Sequence, residues 1–199
     1  MKKMSLLTLA VMTSCMLFAQ SAVFGLKGGL NLASWTNKNS GVGYQNRAGF
    51  HAGGFTNIAL SPQISVQPEV VYSSQGTKYT LGGNEHNLAL NYVNIPVMLQ
   101  ANVGSGLYAQ AGPQIGFLTG TADKVNGVET SYFTTQDFNN TDVALGFGLG
   151  YSGSSGIGVD ARYNLGLTNI NKAGSNTIKN NVLQIGLTYK LSGSTGRRH

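Results

Sequence analysis

Apolar and polar positions alternate with a period of two along most of this chain. Val143, Leu145, Phe147, Leu149 and Tyr151 are separated by Ala144, Gly146, Gly148 and Gly150; after a short turn, Ile157, Val159, Ala161, Tyr163, Leu165 and Leu167 are separated by Gly158, Asp160, Arg162, Asn164 and Gly166. A period of two means strands with one apolar and one polar face. The same alternation predicts eight strands, over residues 23–34, 48–60, 64–75, 88–103, 107–119, 142–152, 156–168 and 181–191. Most reach the ~9–11 residues that a tilted strand needs to cross a bilayer. Short links at 61–63, 104–106 and 153–155 alternate strictly with long polar links at 35–47, 76–87, 120–141 and 169–180. Short turns at one end and long loops at the other describe an eight-stranded antiparallel up-and-down transmembrane β-barrel, so the expected fold class is all-β. The competing architecture is a secreted soluble barrel, closed in the same way around a small apolar ligand.

The two barrels differ in which solvent meets the apolar face. The opposite face carries Lys27, Asn31, Gln67, Glu69, Gln110, Gln114, Asp160, Arg162, Gln184 and Lys190, with Gly112, Gly146, Gly148, Gly158 and Gly186 among them. Charged residues make up 10% of the chain, well below the roughly 25–35% that suits a soluble surface. Lipid outside and polar groups inside is therefore the expected arrangement. An eight-stranded interior is narrow enough to be filled by side chains. Lys27, Glu69, Asp160, Arg162 and Lys190 are accordingly expected to form an interior ion network, with Glu69 facing Arg162 and Asp160 engaging Lys27 or Lys190. Phe24, Tyr92, Tyr151 and Tyr189 toward the turn end, with Trp35, Phe50, Tyr72, Phe117 and Tyr163 toward the loop end, are expected to form two interfacial girdles.

Lys2 and Lys3 precede an apolar run from Met4 to Phe18, and Ala19-Gln20-Ser21-Ala22 follows. This predicts a secretory signal peptide over 1–19, a barrel domain over 20–191 and a polar tail over 192–199. A retained helical anchor is the alternative, but the run falls short of the ~20 residues that span a bilayer. Cys15, the single cysteine, lies in that run; Met12-Thr13-Ser14-Cys15 faintly resembles a lipoprotein cleavage box. With cleavage after Ala19 no thiol chemistry remains. Lys2, Lys3, Arg197 and Arg198 account for most of the formal charge of +6. No basic stripe with interleaved aromatics appears, so no nucleic-acid partner is expected.

Chemistry is sparse. Gly148-x-Gly150-x-x-Gly153 matches a dinucleotide fingerprint literally but runs through a strand into a turn instead of opening a helix. Asn139-Asn140-Thr141 matches a glycosylation acceptor. His51 and Asp142 could meet near the loop end, as a membrane-embedded enzyme would require, yet no nucleophile accompanies them. The expectation is no catalytic residue, no cofactor and no metal. Tyr132, Phe133 and Phe138 in the link 120–141 are candidate contacts for a protein partner at the surface loops; alternatively their rings fold back on the barrel rim.

Tyr92-Val93-Asn94-Ile95-Pro96, Ala111-Gly112-Pro113-Gln114 and the segment Ala161-Arg162-Tyr163-Asn164-Leu165-Gly166-Leu167-Thr168-Asn169-Ile170 together resemble the PorT-like outer-membrane β-barrel family, often labelled "porin family", over essentially the whole mature chain. The resemblance implies a monomeric barrel in outer-membrane lipid, with one branch of the family linked to protein secretion. Gln184-x-Gly186-x-x-Tyr189-x-Leu191 resembles the C-terminal signal read by the barrel-assembly machinery, with Leu191 where Phe is usual. The expected function is a non-enzymatic structural or interaction scaffold.

Overall fold

The computed structural model describes residues 22–37, 43–172 and 177–191. The expected signal segment and the polar tail lie outside the described residues. Among the described residues ten strands follow in order: β1 (Ala22–Asn37), β2 (Tyr44–Gln45), β3 (Arg47–Ala59), β4 (Ile64–Leu81), β5 (Asn84–Gly104), β6 (Leu107–Val125), β7 (Val128–Thr130), β8 (Thr141–Ser152), β9 (Ile157–Gly166) and β10 (Ile178–Lys190). Eight of them, all but β2 and β7, pair antiparallel with their neighbours in the ring. The ring closes between β1 and β10, from Gly25↔Lys190 to Asn37↔Ile178. Closure leaves no barrel edge, which is what allows strands to cross a membrane. This is the eight-stranded up-and-down barrel that the alternation predicts.

The alternation sorts side chains to opposite solvents. Leu26, Leu30 and Leu32 of β1 are exposed on the outside, as are Val159 of β9 and Ile185 and Leu187 of β10. Lys27, Asn31, Glu69, Asp160, Arg162 and Gln184 are buried inside. Such a distribution is unfavourable in water and favourable in lipid, because each outward Leu or Ile gains ~1.5–3 kcal/mol on leaving water. Pro68, Pro96 and Pro113 fall in three neighbouring strands, and pairing is interrupted beside each. The gaps lie between Phe55↔Glu69 and Ile58↔Val66, between Pro68↔Val97 and Val71↔Asn94, and between Pro96↔Gln114 and Leu99↔Ala111. Proline has no N–H to give to a ladder.

The loop end departs from the sequence expectation. Residues 76–87 and much of 120–141 read as loops, but β4, β5 and β6 continue as a sheet, pairing Tyr79 with His86 and Leu88 with Asp123. Six residues beyond Gln75 add about 20 Å of strand. Gly82-Gly83 and Asn126-Gly127 supply the consecutive positive-φ positions that tight hairpin turns require. β2 and β7 pair with the flanks of this extension. β3 stops pairing with β4 at His51↔Ser73, and side chains take over there. Asn31 Nδ2 donates to Phe50 O and Ser74 O at 2.9 Å, and the Arg47 guanidinium donates to Gln75 O at 3.0 Å and to Asn87 Oδ1 at 2.9 Å.

The girdles also need correction. Phe24, Tyr151 and Tyr189 at the turn end, and Phe50, Tyr72, Phe117 and Tyr163 at the loop end, are exposed on the outside. Trp35 and Tyr92 are instead buried inside the loop end. Trp35 shares the parity of Lys27 and Asn31, and Tyr92 shares that of Asn94 and Gln100, the lumen-facing positions of β5.

Candidate functional site: a charged lumen beneath an aromatic cap

The middle of the lumen is built from one residue of β1, one of β4 and two of β9. Arg162 donates to Glu69 through two nitrogens, NH1 to Oε2 at 2.9 Å and NH2 to Oε1 at 2.6 Å. Lys27 Nζ lies 3.3 Å from Glu69 Oε2 and 3.1 Å from Asp160 Oδ2, and Asp160 Oδ2 lies 4.0 Å from Arg162 NH2. Arg162 is 2% exposed, so the paired fork that arginine presents to a carboxylate is used out of contact with water. Gln67 Nε2 donates to Glu69 Oε1, and Gln110 Oε1 accepts from Arg162 NH2, each at 2.9 Å. Two cations and two anions thus balance. Lys190 stays outside this group. Its strand partner is Gly25 at the turn end, four residues beyond Gly186↔Asp160, and that offset of about 13 Å keeps its ammonium from Asp160.

Above the charges, toward the loop end, lies a layer of amides. Asn31 Oδ1 accepts from His51 Nδ1 at 2.9 Å and from Gln184 Nε2 at 3.1 Å, and Gln184 Oε1 accepts from Asn164 Nδ2 at 3.0 Å. β1 and β10 approach closely enough here that a Cβ on Gly29 would strike the Ile185 carbonyl and the Gly186 Cα. A Cβ on Gly186 would lie 3.0 Å from His51 Nε2. Asp142 is held apart from His51, accepting from Thr168 Oγ1 at 2.9 Å and from Asn180 Nδ2 at 3.5 Å. The acid–base pair considered from the sequence is therefore not assembled.

An apolar cluster closes the loop end of the lumen. Trp35, Leu88, Leu90, Tyr92, Phe138, Ile170 and Ile178 are buried together, with Tyr44, Leu118 and Phe133 packed against them. The three aromatic residues proposed as loop contacts separate. Tyr132 is 73% exposed, whereas Phe138 is 3% exposed, its ring 5.8 Å from Trp35 and 6.1 Å from Phe133. Phe138 is thus core and not a contact residue, its ring folded back on the rim as the alternative reading had it. Its segment is drawn over the rim because Asn139 N donates to Ile170 O at 2.9 Å, which turns the ring inward. The fold-back of Phe138 and Phe133 onto the rim is the alternative the sequence left open, whereas the meeting of Trp35, Leu88, Leu90, Tyr92, Ile170 and Ile178 with them was missed.

In β10, Gln184 and Gly186 face the lumen, while Tyr189 and Leu191 are exposed on the outside at the turn end. The proposed assembly signal therefore splits into a lumen half and a lipid-facing half. Among the described residues, no group of three His, Cys, Asp or Glu side chains is arranged to hold a metal ion.

Comparison with known proteins adds the following. The family described as outer membrane protein beta-barrel domain matches residues 18–172. Among solved structures, Neisserial surface protein A is similar with a TM-score of 0.55 and 13% identity, covering 84% of this chain and 97% of that one. Ail, the attachment invasion locus protein of Yersinia pestis, is similar with a TM-score of 0.52 and 14% identity, covering 86% and 99%. At such identities the likeness concerns the fold. A search of curated proteins gives no match.

Proposed function

This chain belongs to the outer membrane protein beta-barrel domain family, is an integral barrel of the cell outer membrane, and we propose that it acts there as a non-enzymatic interaction scaffold with a closed lumen. The observation that supports this reading is the filling of the interior: the Lys27–Glu69–Arg162–Asp160 group spans the lumen, and the Trp35–Phe138 cluster covers it. A lumen without a water column does not serve diffusion, so contact falls to the loop end. The ordered sheet of β4, β5 and β6 beyond the membrane supplies a rigid surface for it. We further place the chain in the PorT-like branch, on the motifs Tyr92–Pro96 and Ala111–Gln114, with a contribution to protein secretion as the process it serves. The barrel-assembly machinery would insert it through the half of β10 that faces lipid, and it would work as a monomer.

Two measurements test the scaffold reading. In planar bilayers the purified barrel should give no steady conductance, and protease added to intact cells should cut within 131–140 while leaving the strands whole. Ohmic conductance, or cleavage confined to 61–63 and 104–106, would overturn it.

A further inference from the structure

The inner face of the extension beyond the membrane contains a carboxylate that forms no ion pair among the described residues. Asp123 of β6 is 3% exposed. Its Oδ2 accepts from Thr130 Oγ1 at 2.9 Å, and its Oδ1 has no hydrogen-bond partner among the described residues. The nearby lysines are engaged elsewhere, Lys124 with Glu129 and Lys78 with Glu85, each at 3.3 Å on the exposed side of the sheet. Asp123 lies opposite Leu88, and the next inward position on β5 is His86, which stacks on Tyr79 with centroids 4.8 Å apart and planes 4° from parallel. Tyr79 meets Tyr44 edge-on at 6.0 Å, and Tyr44 meets Trp35 at 5.7 Å. Tyr44, Tyr79 and His86 are only partly buried, so this row of rings faces solvent beside the carboxylate. Burial, and after it the Asp123 charge, hold the Tyr79 phenol above its ordinary range.

A buried anion without a partner is costly, and the group that relieves it is a cation. Ring faces next to that anion select the same class, because an ammonium or guanidinium is drawn to the face of an aromatic ring. We propose that this face binds a cationic group, a Lys or Arg side chain presented by a basic peptide segment, held between Asp123 and the rings of Tyr79 and Tyr44. The inference rests on the loop end being the contact surface and gives that surface a chemistry.

Trp35 is the single tryptophan of the chain and belongs to the same row of rings, so its fluorescence reports on the site. The full barrel, folded in detergent, would be titrated with tri-lysine amide, with fully acetylated tri-lysine amide and with maltotriose, following Trp35 emission and heat. Saturable binding of tri-lysine alone is expected. Asp123→Asn should weaken it about tenfold or more, while Glu129→Gln, which removes an exposed carboxylate from the other face, should leave it unchanged. Where Asp123→Asn does not fold, Tyr79→Leu should weaken binding several-fold. No saturable response to tri-lysine, equal binding of the acetylated or sugar probe, or equal loss in Glu129→Gln would overturn the proposal. The titration is independent of membrane topology; failure of the scaffold reading would appear in the protease and conductance measurements instead.

Discussion

Replacing Glu69 with alanine removes the anion on which two buried cations converge. With all four groups charged, the Lys27–Glu69–Arg162–Asp160 set is neutral. Without Glu69, Lys27 and Arg162 share Asp160 alone, at 3.1 and 4.0 Å, and a positive charge is left uncompensated inside the barrel. Gln67 loses its acceptor as well. Breaking a buried pair from one side costs ~3–5 kcal/mol, because desolvation of the remaining charge is no longer offset. For a domain of this size each kcal/mol moves the melting midpoint by about 2–4 °C, so the midpoint should fall by roughly 6–20 °C. The assay is heat-modifiable gel mobility in one fixed detergent, reading the temperature at which the folded band disappears. The double variant Glu69→Met, Arg162→Met removes one cation with one anion and keeps the Lys27–Asp160 pair, so it should melt above the single variant. A Glu69→Ala midpoint within about 2 °C of the parent, or a double variant less stable than the single one, would refute the claim that paired charges hold the lumen together.

Gly29→Ala should sharply reduce the heat-modifiable fraction, because its Cβ would strike the β10 backbone. Gly28→Ala, whose Cβ would meet only His51 O at 3.5 Å, should fold normally on the same gel. Phe138→Ala should cost ~3–5 kcal/mol in urea unfolding from micelles, as expected for a large ring removed from a packed cluster. Tyr132→Ala should stay within about 0.5 kcal/mol, being solvent-exposed. Leu191→Asp should slow insertion into membranes containing the barrel-assembly machinery, and Leu191→Phe should match or exceed the parent rate; equal rates for all three would remove β10 from the recognition step.

Much of the barrel is legible as alternation because lipid and lumen impose opposite demands on successive residues. The eight strands of the ring follow from that constraint alone, whereas the β4–β5 link, read as long, closes in Gly82-Gly83. The constraint weakens above the membrane, where both faces of β4, β5 and β6 meet water or each other, and the pattern there reads as a polar loop. The hairpin signals Gly82-Gly83 and Asn126-Gly127 were present in the chain and locate the extension once strands are allowed to outrun the bilayer. In the lumen, parity placed Lys27, Glu69, Asp160 and Arg162 on one face, but their relative heights depend on register, which separates Lys190 from Asp160. For Phe138 the sequence leaves two directions open, outward contact or fold-back on the rim. Its direction is set by the backbone contact of Asn139 with Ile170, 31 residues apart by number, and no local pattern carries that information.

The claim most exposed to test is that the apolar side of each strand meets lipid. Single cysteines placed from Leu183 to Tyr189 in a cysteine-free chain, labelled with a fluorophore and reconstituted in vesicles, can be read by quenching from brominated lipid. Quenching should be strong at Ile185, Leu187 and Tyr189 and weak at Gln184, Gly186 and Thr188. Uniform quenching, or the opposite alternation, would contradict the account.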